Sequence, residues 1–557
     1  MSWAEKVFSS LTLEEKVGQV IINRGLNYPE SMEELLKEGK LGGVGAVVLR
    51  KVCRNNPRGL VDYVNKIIEI SKIPPFLYID AEQGVSDMFG KVGTTFPNQM
   101  AIAATHNPQM AYDAAYAISS EANMLGFNIS CNPVLDVNSN PNNPIIGVRA
   151  FGDNVDFVID FGRQYVKGMQ DAKIIPTGKH FPGHGDTSTD SHISMPVVDH
   201  PREYLDNVEL KPFRVLMAEG MKGIMTAHIY FPALQEGEEP GTPATLSRKI
   251  MTGLVKEEWK YEGLVITDSL TMKAIKDRFG IGKAAVLALK AGNDMILQDY
   301  DSDPKITFEA LLEAVKSGEI DMEQLDNSVM KILKFKEWCG VHTRQKITYE
   351  TAEMLTSMTK NIETSKKIAE SSVTVVENGK LPLSGSAGGK KVLVVATTSD
   401  PGLSEAKDMA VLLTEKYYYF YNSIKRHAPD AKLFTVYENP TKEQIEKLSE
   451  ISGNYDEIIF ITFVRILSYK EGSGTVPQSQ VDLLNMLNGS GRSISTVVAG
   501  NPYVIDKLPK TDNILCTYCE CIYSLDAAAD ILFGKLSPKG KLPVSINEKY
   551  KFGHGLC

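Results

Sequence analysis

The chain has no long apolar run, no basic stripe and few cysteines, and each shortage removes a class of function. None of its 557 residues form a stretch approaching the roughly 20 consecutive apolar residues of a spanning helix, so no membrane role is expected. The formal charge is -9, and basic residues fall in short mixed patches such as MKAIKDR, which leaves no footprint for nucleic acid or anionic lipid. The amino terminus, MSWAEKVFSSLTLEEKVGQV, lacks the positive start and continuous apolar segment of a secretory signal, which predicts a cytoplasmic protein. Seven cysteines, an odd number in a long chain, fit reduced thiols. The cluster CTYCEC (Cys516, Cys519, Cys521) has no second ligand pair beside it and is expected to be buried and structural. No phosphate-cradling loop is present either: GGVGAVV lacks a third glycine, and no G-x-x-x-x-G-K-[ST] occurs.

What remains is an ordinary globular composition, 43% apolar and 23% charged, in a chain too long for one core. Two domains are expected. Thr12 and Glu15 form a capping-box signature that starts a helix through LEEKVGQVI. Seven short β-branched or apolar runs then alternate with amphipathic stretches: VGAVVLR, PFLYIDAE, FNISCNPVLDV, IIPTGKHFPG, GIMTAHI, GLVITDSL and DMILQD. Strand-then-helix units in this number predict a (β/α)8 TIM-like barrel, with one irregular strand, over residues 1–345. The helical pattern MEQLDNSVMKILKFKEWCG closes it. Residues 346–390, which include GKLPLSGSAGGKK, are expected to be a linker. Beyond it, VLVVATT, EIIFITFV, STVVAG and NILCTY predict a smaller α/β/α sandwich over 391–557.

Polar residues gather at the carboxyl ends of the predicted strands: Asp80 and Glu82, Asp136, Lys179 and His180, His228, Asp268, Gln298 and Asp299. Barrel active sites are built at that end, so these side chains are expected to converge. One stretch, KHFPGHGDTSTDSH, holds three of the chain's nine histidines. Its Pro and Gly residues break regular structure after Lys179 and His180 and predict a loop. Asp190 and His192, two apart, share one side of an extended segment, where the carboxylate accepts from the imidazole, raises its pKa and fixes its tautomer. Such a histidine is a general acid and base near neutral pH. His180, His184 and His192 do not follow zinc spacing, so no metal is expected. Asp268 emerges from the apolar run GLVITD with few charges near it in sequence, which suits a carboxylate nucleophile. A carboxylate nucleophile with a separate proton donor describes retaining glycoside hydrolysis.

The motifs KHFPGHGDTSTDSH, GVRAFGD, MTAHI, PATLS and LVITDSLTM resemble glycoside hydrolase family 3 in its β-N-acetylglucosaminidase branch, and GNPYVIDKLP with DILFGKLSPKGKLPVSI resembles that family's second domain. The resemblance implies an exo-acting enzyme on terminal β-linked N-acetylglucosamine, without a cofactor. It implies Asp268 as nucleophile, Asp190 and His192 as an acid/base dyad, and Lys179, His180, Arg149 and Asp80 as sugar contacts; Asp136 and His228, at their own strand ends, are expected to join them in binding substrate. The chain departs from the family pattern at IDAEQGVSDMFG, where Gln83, Val85 and Met88 stand and an expected arginine is absent. A histidine acid/base that has given up its proton is neutral and does not repel an anion, so phosphate is a possible acceptor and a phosphorylase is an alternative. A family 3 β-glucosidase is another. The expected substrates are imported fragments of peptidoglycan or chitin.

Overall fold

The computed structural model describes residues 1–23, 28–46, 49, 53–189, 191, 195–270, 272–298, 302–384, 389–399, 407–467 and 472–556. The chain forms two compact units. The first comprises Met1–Thr95, Ala111–Asn143 and Val155–Ile362, and the second comprises Phe96–Met110, Pro144–Asn154 and Glu363–Cys557.

After an opening helix, Trp3–Ser10, the first unit carries the capping box read from the sequence: Glu15 N–H donates to Thr12 Oγ1 (3.2 Å) and Thr12 N–H to Glu15 Oε2 (2.8 Å), starting the helix Leu13–Gln19. Its strands are β1 (Ile21–Asn23), β2 (Gly43–Gly45), β3 (Phe76–Ile79), β4 (Ile129–Ser130), β5 (Ile175–Pro176), β6 (Gly178–Phe181), β7 (Gly223–Thr226), β8 (Leu264–Thr267) and β9 (Ile296–Leu297). They pair in parallel in the orders β5-β4-β3-β2-β1-β9 and β6-β7-β8. Thr177 alone separates β5 from β6, so these two occupy one strand position. A parallel bridge, Ile266 to Met295, joins β8 to β9, and Thr267 N–H donates to Met295 O (3.1 Å). The result is a closed circuit of eight strand positions, the (β/α)8 barrel that the alternating pattern predicts. The position missing from the seven predicted runs is β1. Its three residues follow the helix Leu13–Gln19 with no glycine or proline between, so the helical pattern runs on into them.

The second unit is a six-stranded sheet. Its strands are β10 (Thr374–Asn378), β11 (Val392–Thr398), β12 (Lys432–Tyr437), β13 (Glu457–Val464), β14 (Ser493–Gly500) and β15 (Asn513–Cys516), ordered β10-β15-β14-β13-β11-β12. Only β10 is antiparallel, to β15. Consecutive residues of each central strand enter opposite cores. Val394, Ile459, Val497 and Leu515 pack on one face, and Val395, Phe460, Val498 and Cys516 on the other. A strand buried on both faces therefore reads as an unbroken apolar run, which is why these four were recognisable. Cys516, Cys519 and Cys521 are buried in this core.

Two features differ from the expected division at 345 and 390. The segment 346–390 is not a bare linker: it carries the helices Tyr349–Met354 and Thr359–Ser372 and the edge strand β10. Ile347 is fixed to the first unit by a reciprocal pair with Asn65, N–H to Oδ1 at 2.7 Å and Nδ2–H to O at 2.8 Å. Also, two excursions from the barrel sequence belong to the second unit, where Met100, Ala101, Ala104 and Val148 are part of its apolar core. Among the described residues, no helix is long and apolar enough to cross a membrane.

Candidate active site

Because every strand pair in the barrel is parallel, the residues after β3, β6, β7 and β8 share one end. The strand-end side chains identified from the sequence occupy this mouth. Lys179, on β6, is nearly inaccessible, and its Nζ lies 3.2 Å from Asp80 Oδ1 and 2.6 Å from Glu82 Oε1. Two carboxylates around one buried ammonium compensate its desolvation and hold Asp80, the more exposed of the two, at the opening. Asn132 braces the turn between them, with its Nδ2 donating to Ala81 O (3.0 Å) and lying 3.0 Å from Tyr165 OH. Glu82 was legible only as a polar strand end; its pairing with Lys179 is a tertiary fact.

His180 follows through a cis peptide, and its Nδ1 sits 2.7 Å from Asp136 Oδ2 while its N–H donates to Asp136 Oδ1 (3.0 Å). The same oxygen accepts from His184 N–H (2.7 Å). Burial alone would raise the Asp136 carboxyl, but the His180 imidazole and its hydrogen bonds, with His184 nearby, hold it below the ordinary value. Asp136 is wholly buried, so the expected sugar contact becomes a different role: it sets the ring of His180 and the turn at His184. His228 is corrected in the same way. It is 1% exposed, with Nδ1 2.9 Å from Thr245 Oγ1 and Nε2 3.0 Å from Ser269 O. Both ring nitrogens face protein atoms, and the second braces the residue after Asp268.

Asp268 stands at the end of β8, whose four residues are buried. Its N–H donates to Thr226 O (3.0 Å) and its Oδ1 accepts from Ser269 N–H (2.6 Å), which fixes the carboxylate at the strand tip. Sequence reasoning placed it there because an apolar run ending in Asp has one direction in which to leave the barrel.

The loop after β6 is shaped by what lies behind it. Gly183 (φ +146°) has Glu209 against its α-carbon: a β-carbon there would meet Glu209 Oε2 at 2.3 Å. Burial, with Asp136 and Asp186 as charged neighbours, pushes the Glu209 carboxyl well above its ordinary value. At Gly185 a β-carbon would lie 1.6 Å from Val137 O, so no other residue fits. Further along, Asp186 pairs with His200 Nε2, and the His200 ring packs on Tyr204 at 4.1 Å. Sequence reading singled out none of Glu209, His200 or Ser191: Glu209 and His200 lie outside the motif with no spacing that ties them to the loop, and Ser191, inside it, was one hydroxyl among several. Asp190 and His192, the predicted dyad, lie outside the described residues, as does Asp299. Arg149 belongs to the second unit, on the turn Gly147–Arg149, and its Nη1 donates to Ile145 O (3.0 Å).

Comparison with known proteins points one way. The pattern described as "Glycosyl hydrolase family 3 N terminal domain" matches residues 12–335, and "Glycosyl hydrolase family 3 C-terminal domain" matches 373–553. A protein of Pseudoalteromonas piscicida called beta-hexosaminidase A is 36% identical over 332 residues, 55% of this chain and 55% of that protein, so the match spans about half the relative's length. One from Cellulomonas fimi, called beta-N-acetylglucosaminidase/beta-glucosidase, is 28% identical over 69% of this chain and 68% of its own. A solved structure described as a glycoside hydrolase family 3 beta-N-acetylglucosaminidase from Paenibacillus sp. str. FPU-7 superimposes with a TM-score of 0.84 at 33% identity, covering 97% of this chain and 99% of that one.

Proposed function

The chain belongs to glycosyl hydrolase family 3, and from that premise we propose that it is a retaining, exo-acting β-N-acetylglucosaminidase. The observation that carries the reading is Asp268: a carboxylate fixed at the tip of a buried strand, on the same barrel end as the Asp80–Lys179–Glu82 group and His180. In this reading Asp80, Lys179 and His180 hold the terminal sugar. Asp268 attacks the anomeric carbon as the glycosidic bond breaks, and His192 gives its proton to the departing oxygen. The sugar is then an ester of Asp268. His192, now neutral and steered by Asp190, takes a proton from water, whose oxygen attacks the same carbon and frees the carboxylate.

The natural substrate under this proposal is a fragment of peptidoglycan or chitin carrying terminal N-acetylglucosamine, handled in the cytoplasm. The buried free thiols of Cys516, Cys519 and Cys521 fit a reducing compartment. Phosphate in place of water would release the sugar as its 1-phosphate.

Trapping tests the core of the reading. A slow fluorinated N-acetylglucosaminide is expected to label Asp268, identified by peptide mass. A label on another residue, or release of product with inverted configuration, would overturn it. Turnover of nitrophenyl N-acetylglucosaminide against nitrophenyl glucoside, each with and without phosphate, then fixes sugar and acceptor.

A further inference from the structure

We propose that Ser191 and His184 form a positioning pair for the proton-transfer step, a role that rests on the assignment of Asp190 and His192 as the acid/base dyad. Ser191 is the residue the chain inserts between those two, and its Oγ lies 2.9 Å from His184 Nε2. Both partners are buried, Ser191 to 2% and His184 to 3% exposure.

His184 is held on every side that the hydrogen bonds define. Its N–H donates to Asp136 Oδ1 (2.7 Å), and its carbonyl accepts from Asn143 Nδ2 (2.8 Å) and from Thr187 Oγ1 (3.0 Å). Its Nδ1 sits 2.7 Å from the same Thr187 oxygen. Thr187 Oγ1 also accepts from Asn143 Nδ2 (3.3 Å). Each ring nitrogen of His184 thus has one hydroxyl partner, Nδ1 with Thr187 and Nε2 with Ser191, and a single tautomer, one nitrogen donating and the other accepting, satisfies both.

At 2% exposure the Ser191 hydroxyl is out of reach of substrate, so its bond to the imidazole serves position rather than nucleophilic attack. What it does is anchor its own backbone to Asp136, the carboxylate that also sets His180. The sugar-holding histidine and Ser191, the residue next to both members of the dyad in sequence, thus share one anchor. Small misplacement of a catalytic group costs on the order of 100-fold in rate, so this tether is worth a measurable part of the acid catalysis.

Two variants and two substrates test it. Ser191→Ala removes the hydroxyl. His184→Asn places a carboxamide nitrogen where Nδ1 lies, keeping the Thr187 contact while falling short of Ser191. With phenyl N-acetylglucosaminide, whose leaving group needs a proton, each variant is expected to lower kcat/KM about 10-fold. With the dinitrophenyl substrate, which does not need one, the change is expected to stay within about 2-fold. The double variant is expected to be no worse than either single, because both remove the same contact. Equal slowing of both substrates, or additive losses in the double variant, would overturn the pair. His192→Ala separates the two levels. If it spares neither substrate preferentially, the dyad assignment fails and this inference with it. If it discriminates while the two variants do not, this inference alone fails.

Discussion

Two lysines are buried in the same barrel and handled in opposite ways. Lys179, at the carboxyl end of the strands, is enclosed by the carboxylates of Asp80 and Glu82. Lys336 is wholly buried near the strand beginnings, over the ring of Phe76 and 2.7 Å from Gln19 Oε1, with no carboxylate of the described residues in ion-pair range. Burial, with Arg344 nearby, pulls its amine down to about 7. At the mouth the fold supplies partners for a charge it retains beside the candidate sugar site. At the floor it makes the cation costly, as expected where barrel residues serve stability rather than chemistry.

Removing the charge from each end breaks or sharpens this contrast. Lys179→Met leaves two carboxylates facing each other, and kcat/KM is expected to fall at least about 100-fold, from about 3 kcal/mol of lost pairing, with a lower Tm. Unchanged kcat/KM would remove the pair from the site. Next in size is Asp136→Asn, which keeps the shape but loses the charge opposite His180. A drop of about 10-fold in kcat/KM is expected, as for a charge-assisted hydrogen bond. The wild-type carboxyl is depressed in the folded state, so its contribution to stability is complete above the ordinary carboxylate range and lost as pH falls through the folded value. Acid unfolding of Asp136→Asn followed by circular dichroism should accordingly be shallower. The smallest effect on activity is expected for Lys336→Met. In the wild type the unfolded chain binds this proton more tightly, so stability rises with pH from about 7 toward the ordinary lysine value. Urea midpoints at pH 7 and 9.5 should differ less in the variant, with kcat/KM unchanged at both.

Much of this architecture is legible in the sequence, for reasons that differ by element. Both-face burial makes β11, β13, β15 and the second half of β14 largely apolar runs, whereas the edge strand β12, KLFTVY, is half exposed and carries no such signal. The strand-end rule located Asp80, Lys179, His180 and Asp268, because a polar residue ending an apolar run can face only the barrel mouth. It could not tell Asp136 and His228 from sugar contacts, since that depends on which atoms face them: the His180 ring in one case, Thr245 and the Ser269 carbonyl in the other. The assignment of residues 96–110 to the second unit was beyond reach for the same reason, as an alanine-rich apolar helix fits either core.

That assignment has a practical consequence for dissecting the protein. A clone cut at residue 362 would leave the carboxyl-terminal fragment without Met100, Ala101, Ala104 and Val148, which fill its own interior, and would strand those side chains on the other piece. Expressing either half alone therefore invites insolubility, and a working separation would have to transplant two short internal segments along with the tail.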